Sequence, residues 1–423
     1  MRQMKNSGIE WVGEIPAEWE CKPIRALFLE NNNKNYFGKE TKALQFKFGK
    51  IVPKQNFNAD DDEYVAETIL KYNIVDKGMI VINGLNLNFD FVTKRVGLVR
   101  DRGIITSAYM SFSVKDLQTV MPEYACYLLK SYDNCAAFHN MGGGVRKILN
   151  FDELKHNLFV LPPLSEQKAI AEFLDKKCGE VDALIADIQQ EIETLEQYKR
   201  SVITESVTKG LDPSVPMKDS GAGWMPTVPA HWLVEKIKYH LHLKTQKNMS
   251  DRQVLSLYRD YGIVPKDSRD DNHNVTSEDT SSYRFVRVGD FVVNKMKAWQ
   301  GSVAVSQYEG IVSPAYFVYE FIDESFDKKY FHYLLRNKSY TIEFMRLSGG
   351  IRVGQWDLPA EAFENTLVLI PPIEEQQQIA DYLDKKCKGI EEIIADKQSQ
   401  IETLESYKKS LIYEYVTGKK EVG

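Results

Sequence analysis

The chain is written twice. Residues 161–210 and 370–419 align without a gap at a constant offset of 209, so that Leu174-Asp175-Lys176-Lys177-Cys178 recurs as Leu383-Asp384-Lys385-Lys386-Cys387. Glu193-Thr194-Leu195-Glu196 likewise recurs as Glu402-Thr403-Leu404-Glu405. A second repeat opens each half: Trp11, Pro16 and Trp19 answer Trp224, Pro229 and Trp232. Fainter echoes lie between, with Ile51-Val52-Pro53-Lys54 answering Ile263-Val264-Pro265-Lys266 and Ala108-Tyr109 answering Ala315-Tyr316. A duplication of this kind fixes the order of parts as module, helix, module, helix. The helical segments are nearly identical and the modules have diverged, so two parts share one task and two parts do related but different ones.

Each helical segment starts with Pro-Pro and places acids in its first turn, both helix-start signals. Ser165 is a candidate N-cap. Apolar residues then recur at intervals of three and four. One stripe runs Leu174, Cys178, Val181, Ile185, Ile188, Ile192, Leu195, Lys199 and Val202; the other runs Leu383, Cys387, Ile390, Ile394, Lys397, Ile401, Leu404, Lys408 and Leu411. This is the heptad pattern of a coiled-coil seam, and Gly210 and Gly418 stand at the ends as stop signals. A stripe needs a partner, and the nearest is the other copy. The duplication predicts an antiparallel pair inside one chain, in pseudo-twofold arrangement, with Lys199, Lys397 and Lys408 fixing register at some loss of stability. Helices of about 35 residues make a rod of about 50 Å.

With 423 residues the chain exceeds a single core. No stretch approaches the ~20 apolar residues of a membrane span, and the first ten residues have no apolar run of the kind a secretory signal carries. The five scattered cysteines form no CxxC pair, which points to reduced thiols in a cytoplasm. The net charge of −6 at first argues against a polyanionic partner. The acid excess, however, sits in residues 161–210 (net −4) and 370–423 (net −3), leaving residues 1–160 at +2 and 211–369 at −1. A near-neutral module binds a polyanion if its cations share a face.

The modules read as mixed α/β. Short β-branched or aromatic runs (Met79–Ile82, Phe91-Val92, Ile104-Ile105, Phe291–Val293, Val303–Val305, Ile311-Val312) alternate with Asn, Gly and Asp, and helical patterns follow near 124–132 and 330–344. Lys94, Arg95, Arg100 and Arg102 cluster in the first module, and Lys295, Lys297 and Trp299 in the second. The sharpest local signal is Gly142-Gly143-Gly144-Val145-Arg146-Lys147 with its counterpart Gly349-Gly350-Ile351-Arg352, followed by Gln355. Glycine permits close backbone approach, and Arg and Gln carry the forks that read guanine and adenine edges. The competing reading is a glycine turn with solvated cations. The paired tryptophans, Tyr109 and Tyr316 read as packing residues.

No catalytic motif is present: there is no GxxxxGK[ST], GxSxG, HExxH or Asn-Pro-Pro-Tyr-type sequence. Asp60-Asp61-Asp62-Glu63 reads as a solvated acidic turn, and no metal site is expected.

The helix starts LPPLSEQ…IAEFLDKK and IPPIEEQ…IADYLDKK, the IVPK strand ends and the duplicated tryptophan-proline openings together resemble the specificity subunits of Type I restriction-modification systems, over nearly the whole chain. The resemblance implies an α+β fold: two mixed α/β target-recognition domains, at 1–160 and 211–369, separated by two long helices, at 161–210 and 370–423, that form an antiparallel intramolecular coiled coil. It implies that each domain reads one half of a bipartite, asymmetric site on double-stranded DNA and that the helices set the gap; the rod exceeds one ~34–36 Å turn of the duplex. It also implies a cytoplasmic, non-catalytic subunit working with two modification subunits and two restriction subunits, which hold the S-adenosylmethionine, ATP and Mg2+. The rival reading is a coiled-coil scaffold or adaptor that does not read DNA. Base-contacting residues are not set by any family motif. Lys94, Arg95, Gly143, Gly144, Arg146, Lys147, Lys295, Lys297, Gly349, Gly350, Arg352 and Gln355 are the candidates that side-chain chemistry selects.

Overall fold

The computed structural model describes residues 2–47, 49–55, 57, 63–143, 147–247, 249, 251–259, 261–268, 276–277, 279–350 and 356–422, with backbone alone at 63–66. It divides into two compact units, one of residues 1–188 with 398–423 and the other of residues 189–397. The two long helices span Leu164–Lys209 and Ile373–Val416, so each contributes a segment to both units.

The first unit is built on a four-stranded antiparallel sheet in the order Phe28–Glu30, Met110–Val114, Ile80–Ile82, Val96–Leu98. Alternation along the strands fills both faces: Ile80, Ile82 and Phe112 join the main core, and Val81 packs with Leu44, Ile51, Val75, Val99 and Ile105 on the other side. The helix Pro122–Asn134 closes the main core with Tyr124, Leu128, Leu129 and Tyr132, all fully buried. The second unit repeats this plan. Its sheet runs Leu241–Lys244, Tyr316–Phe321, Phe291–Asn294, Val303–Val305, with Phe291 and Val293 on one face and Val292 on the other. The helix Lys328–Arg336 supplies Tyr330, Phe331, Leu334 and Leu335.

The expected strands at 79–82, 104–105, 291–293, 303–305 and 311–312 are present within a residue or two. Phe91-Val92 is not a strand. Asp90 Oδ1 accepts from the amides of Val92 (3.1 Å) and Thr93 (2.9 Å), and this local turn takes the place of a ladder. Ser165 is not the N-cap either, because the first long helix already starts at Leu164 and the amides of Glu166 and Gln167 donate to the Pro163 carbonyl.

Within each unit the two helix segments run antiparallel. In the first unit Phe173 packs on Tyr415 at 4.4 Å and Lys408 pairs with Asp182. In the second, Lys199 pairs with Glu391 and Lys397 with Glu191. The first two of these ion pairs are the same pair seen twice, since Asp182 and Glu391, like Lys199 and Lys408, are repeat equivalents. Leu174, Val181, Ile188, Leu383, Ile390 and Ile401 are buried; Ile185, Ile192, Leu195, Ile394 and Leu404 are half-buried; the residues between them are largely exposed. Each lysine in the stripe reaches an acid on the facing helix, as register-setting residues do.

One buried glutamine per unit fastens helix to module. Gln167 Nε2 donates to the carbonyls of Thr119 and Pro162, both at 2.9 Å, and its Oε1 accepts from the Met121 amide at 2.8 Å. Gln376 makes the equivalent three bonds to Ser325, Pro371 and Asp327. Tyrosines add a second clasp: Tyr127 donates to Asp175 at 2.7 Å and Tyr333 to Asp384 at 2.8 Å. A third clasp holds the helix ends, with Tyr124 donating to Val416 O and Tyr330 to Val207 O. Trp19 and Trp232 lie buried beneath the helix-ending glycines. Gly418 (φ +71°) has no room for a side chain, as a Cβ there would stand 2.4 Å from Pro16 Cδ. The tryptophan-proline repeat is therefore a seat for the helix termini. Among the described residues no helix is long and apolar enough to cross a membrane, and no group of three or more His, Cys, Asp or Glu is placed to hold a metal.

Candidate nucleic-acid interface

The fold brings two loops together in each module. In the first unit, residues 83–95 join strands Ile80–Ile82 and Val96–Leu98 and lie against the glycine loop that follows the helix Ala137–Met141. The Leu149 amide donates to Gly84 O at 2.9 Å and the Leu87 amide to Lys147 O at 3.3 Å. A Cβ on Gly84 would fall 2.0 Å from Leu149 O, so only glycine allows this approach. In the second unit, residues 295–302 lie against the glycine loop closed by the Gly349–Asp357 bridge. The Leu358 amide donates to Lys295 O at 2.9 Å, Lys295 Nζ meets Asp357 Oδ2 at 3.1 Å, and the rings of Trp299 and Trp356 stand 5.4 Å apart. In each module the glycine loop and the loop that carries the neighbouring cations, separate in sequence, thus lie side by side.

Individual residues fare differently. Gly143, Lys147, Lys297, Gly349 and Gly350 are exposed within these loop pairs. Lys147 and Lys297 make no ion pair among the described residues. Gly144, Arg146, Arg352 and Gln355 lie outside the described residues. Arg95 is a correction: expected among the exposed cations, it is wholly buried. Its guanidinium donates to the carbonyls of Asn83 (3.1 Å), Leu85 (2.6 Å) and Asp90 (2.5 Å). A buried charge is tolerated only when so satisfied, and here it fixes the path of the 83–95 loop. The other cations of that cluster are engaged too: Lys94 with Glu405 at 3.0 Å, Arg100 with Asp175 at 3.5 Å, and Arg102 with Glu40 and Asp76. Lys94 and Arg100 line a cavity of about 460 Å³ inside the first unit, beside Lys50, Tyr127, Asp182 and Lys408.

Phe89, Asp133, His139 and Trp356, not singled out from sequence, also lie in or against these loops. The signal for Phe89 was Asn83-Gly84-Leu85-Asn86-Leu87-Asn88, a run too rich in turn formers for a strand; Asn86 takes a positive φ of 55°. Asp133 accepts the Arg95 amide at 2.8 Å, and burial pushes its carboxyl up to about 6, only partly opposed by that hydrogen bond and the Arg95 charge. The sign follows. Folding takes up a proton at Asp133 between the unfolded value near 4 and the folded value near 6, so the contribution is complete below pH 4 and lost as pH rises through 6. Asp133→Asn is expected to gain stability on the wild type across that interval, on the order of 1–3 kcal/mol, and to show no gain below it. Urea midpoints from pH 3.5 to 7 measure this, and a difference independent of pH would refute it.

Comparison with known proteins decides the family. A family model for the Type I restriction modification DNA specificity domain matches residues 18–194 and 243–403. The chain belongs to that family. Among curated specificity subunits it is 22% identical to the putative type I restriction enzyme MjaX specificity subunit of Methanocaldococcus jannaschii, over 96% of this chain and 95% of that one. It is 26% identical to the MjaVIII specificity subunit of the same organism, over 75% and 74%. A solved structure from work on complex assembly and conformational transition of the type I R-M system covers 96% of this chain and 99% of its own, with a TM-score of 0.68 at 13% identity, a likeness of fold. In this specificity subunit the two matched segments each take in one loop pair, and the loop pairs differ in side chains while agreeing in position.

Proposed function

We propose that this specificity subunit reads a bipartite, asymmetric site on double-stranded DNA, with residues 1–160 on one half and 211–369 on the other. The observation that carries the reading is the loop pair: the same two-loop platform at the same place on both modules, with Lys147 and two phenylalanines on one and Lys297 and two tryptophans on the other. Equal placement with unequal chemistry suits two unlike half-sites. The helical segments 161–210 and 370–423 would set the gap and dock the partners. Leu184 and Tyr198, and their repeat equivalents Ile393 and Tyr407, remain exposed on the helices. Matched exposed apolar residues in both copies suit two copies of one partner, in this reading the modification subunits. Two restriction subunits would join for cleavage. The chain itself is non-catalytic here, with S-adenosylmethionine, ATP and Mg2+ held by the partners.

Methylation sequencing of a host that carries this chain and its modification subunit tests the reading. A single methylated motif of two unlike halves around an unspecified gap is the expected result. Assembly with the modification subunit but no sequence-specific methylation would favour a scaffold.

A further inference from the structure

We propose that the first module reads its half-site by wedging Phe89 and Val92 into the base stack, and that Trp299 and Trp356 serve the corresponding role on the second. The inference rests on the DNA-reading function proposed above and adds how the reading is done.

The loop at 83–95 presents Phe89, Phe91 and Val92 to solvent at 84%, 69% and 91% exposure. Burying such a side chain is worth ~1.5–3 kcal/mol, so a slack loop would fold these residues inward. This loop cannot, because it is braced from beneath. The buried Arg95 guanidinium holds three of its carbonyls, Asp90 Oδ1 holds the amides of Val92 and Thr93, and Phe91 stacks on His139 at 4.5 Å with rings 9° from parallel. The apolar tip is displayed by construction.

Charge identifies the occupant. Lys94, Arg95, Arg100 and Arg102 are engaged with the protein's own acids or carbonyls, whereas Lys147, on the adjoining loop, is exposed and makes no ion pair among the described residues. An unpaired cation beside an apolar tip suits a nucleic acid, with a phosphate for the lysine and a base step for the tip. Side chains that unstack a base step and kink the duplex supply contact area and sequence preference without added charge. The second module shows the same logic with different groups: exposed Met296 and Lys297 flank Trp299, whose indole donates to Met296 O at 3.0 Å and packs on Trp356.

The test uses the complex of this chain with its modification subunit, and duplexes carrying the site found by methylation sequencing with 2-aminopurine placed at each position in turn. The wild type is expected to raise fluorescence at least twofold at one step of the half-site read by residues 1–160, apart from the base that is methylated. Phe89→Ala with Val92→Ala, both at exposed positions, should abolish that rise and weaken binding about tenfold, while Phe89→Leu with Val92→Ile should keep it. Site-specific binding without any such rise in the wild type would overturn the wedge and leave DNA reading intact. Loss of assembly with the modification subunit in the alanine variant would assign the tip to that protein and overturn the wedge as well. Absence of site-specific binding by the wild type would instead remove the DNA-reading function on which the inference stands.

Discussion

Removing residues 185–191 together with 394–400 is expected to shorten the gap between the two half-sites by two or three base pairs and to leave each half-site sequence unchanged. Seven residues of helix rise about 10 Å, and a base pair advances the duplex by about 3.4 Å. The deletion keeps the seam in phase, because Val181 then precedes Ile192 by the same four positions that separated it from Ile185, and Ile390 precedes Ile401 likewise. It also keeps both equivalent ion pairs. Asp182 and Lys199 are as far apart on one helix as Glu391 and Lys408 on the other, so Asp182–Lys408 and Glu391–Lys199 survive only if both helices lose equal lengths. Glu191 and Lys397 leave together. A deletion from one helix alone puts one end out of register and should abolish modification. Methylation sequencing reads all three chains. A gap unaffected by the double deletion, or altered half-sites, would contradict the spacing role.

Gln167→Leu and Gln376→Leu are expected to be the most destabilising single changes outside the cores, each by about 3–5 kcal/mol. Each substitution leaves two carbonyls and one amide of the module–helix joint without a partner, and a buried group left unpaired costs ~1–3 kcal/mol. That is a large part of the 5–15 kcal/mol that holds an ordinary domain together. The loss should fall on separate units: hydrogen exchange should show Gln167→Leu loosening the helix 122–134 and Gln376→Leu loosening 328–336. A loss under 1 kcal/mol, or one spread evenly over both units, would show that the glutamines do not fasten these joints.

The parts of this fold legible in sequence were those with a period. The seam residues, the helix stops at Gly210 and Gly418 and the β-branched strands all repeat at intervals that geometry dictates. The duplication doubled each signal. What escaped was the partner of each side chain. Arg95 has the composition of a surface cation, and nothing in its neighbours announces that three carbonyls from positions 83 to 90 will close around it. Phe91-Val92 has the composition of a strand, and only the capping by Asp90 turns it into a displayed tip. Gln167 and Gln376 sit in the most recognisable motif of the chain, yet their role depends on carbonyls 48 and 51 residues away. The joining of the glycine loops to residues 83–95 and 295–302 is likewise a product of sheet topology, not of local sequence.

The central claim is that two unlike modules read two separate halves of one site. Its most direct measurement is methylation sequencing of a chain in which residues 1–160 are exchanged for those of a relative with a different site, alongside the parent. The account predicts one half-site replaced and the other, with the gap, retained. Replacement of both halves, or retention of both, would contradict it.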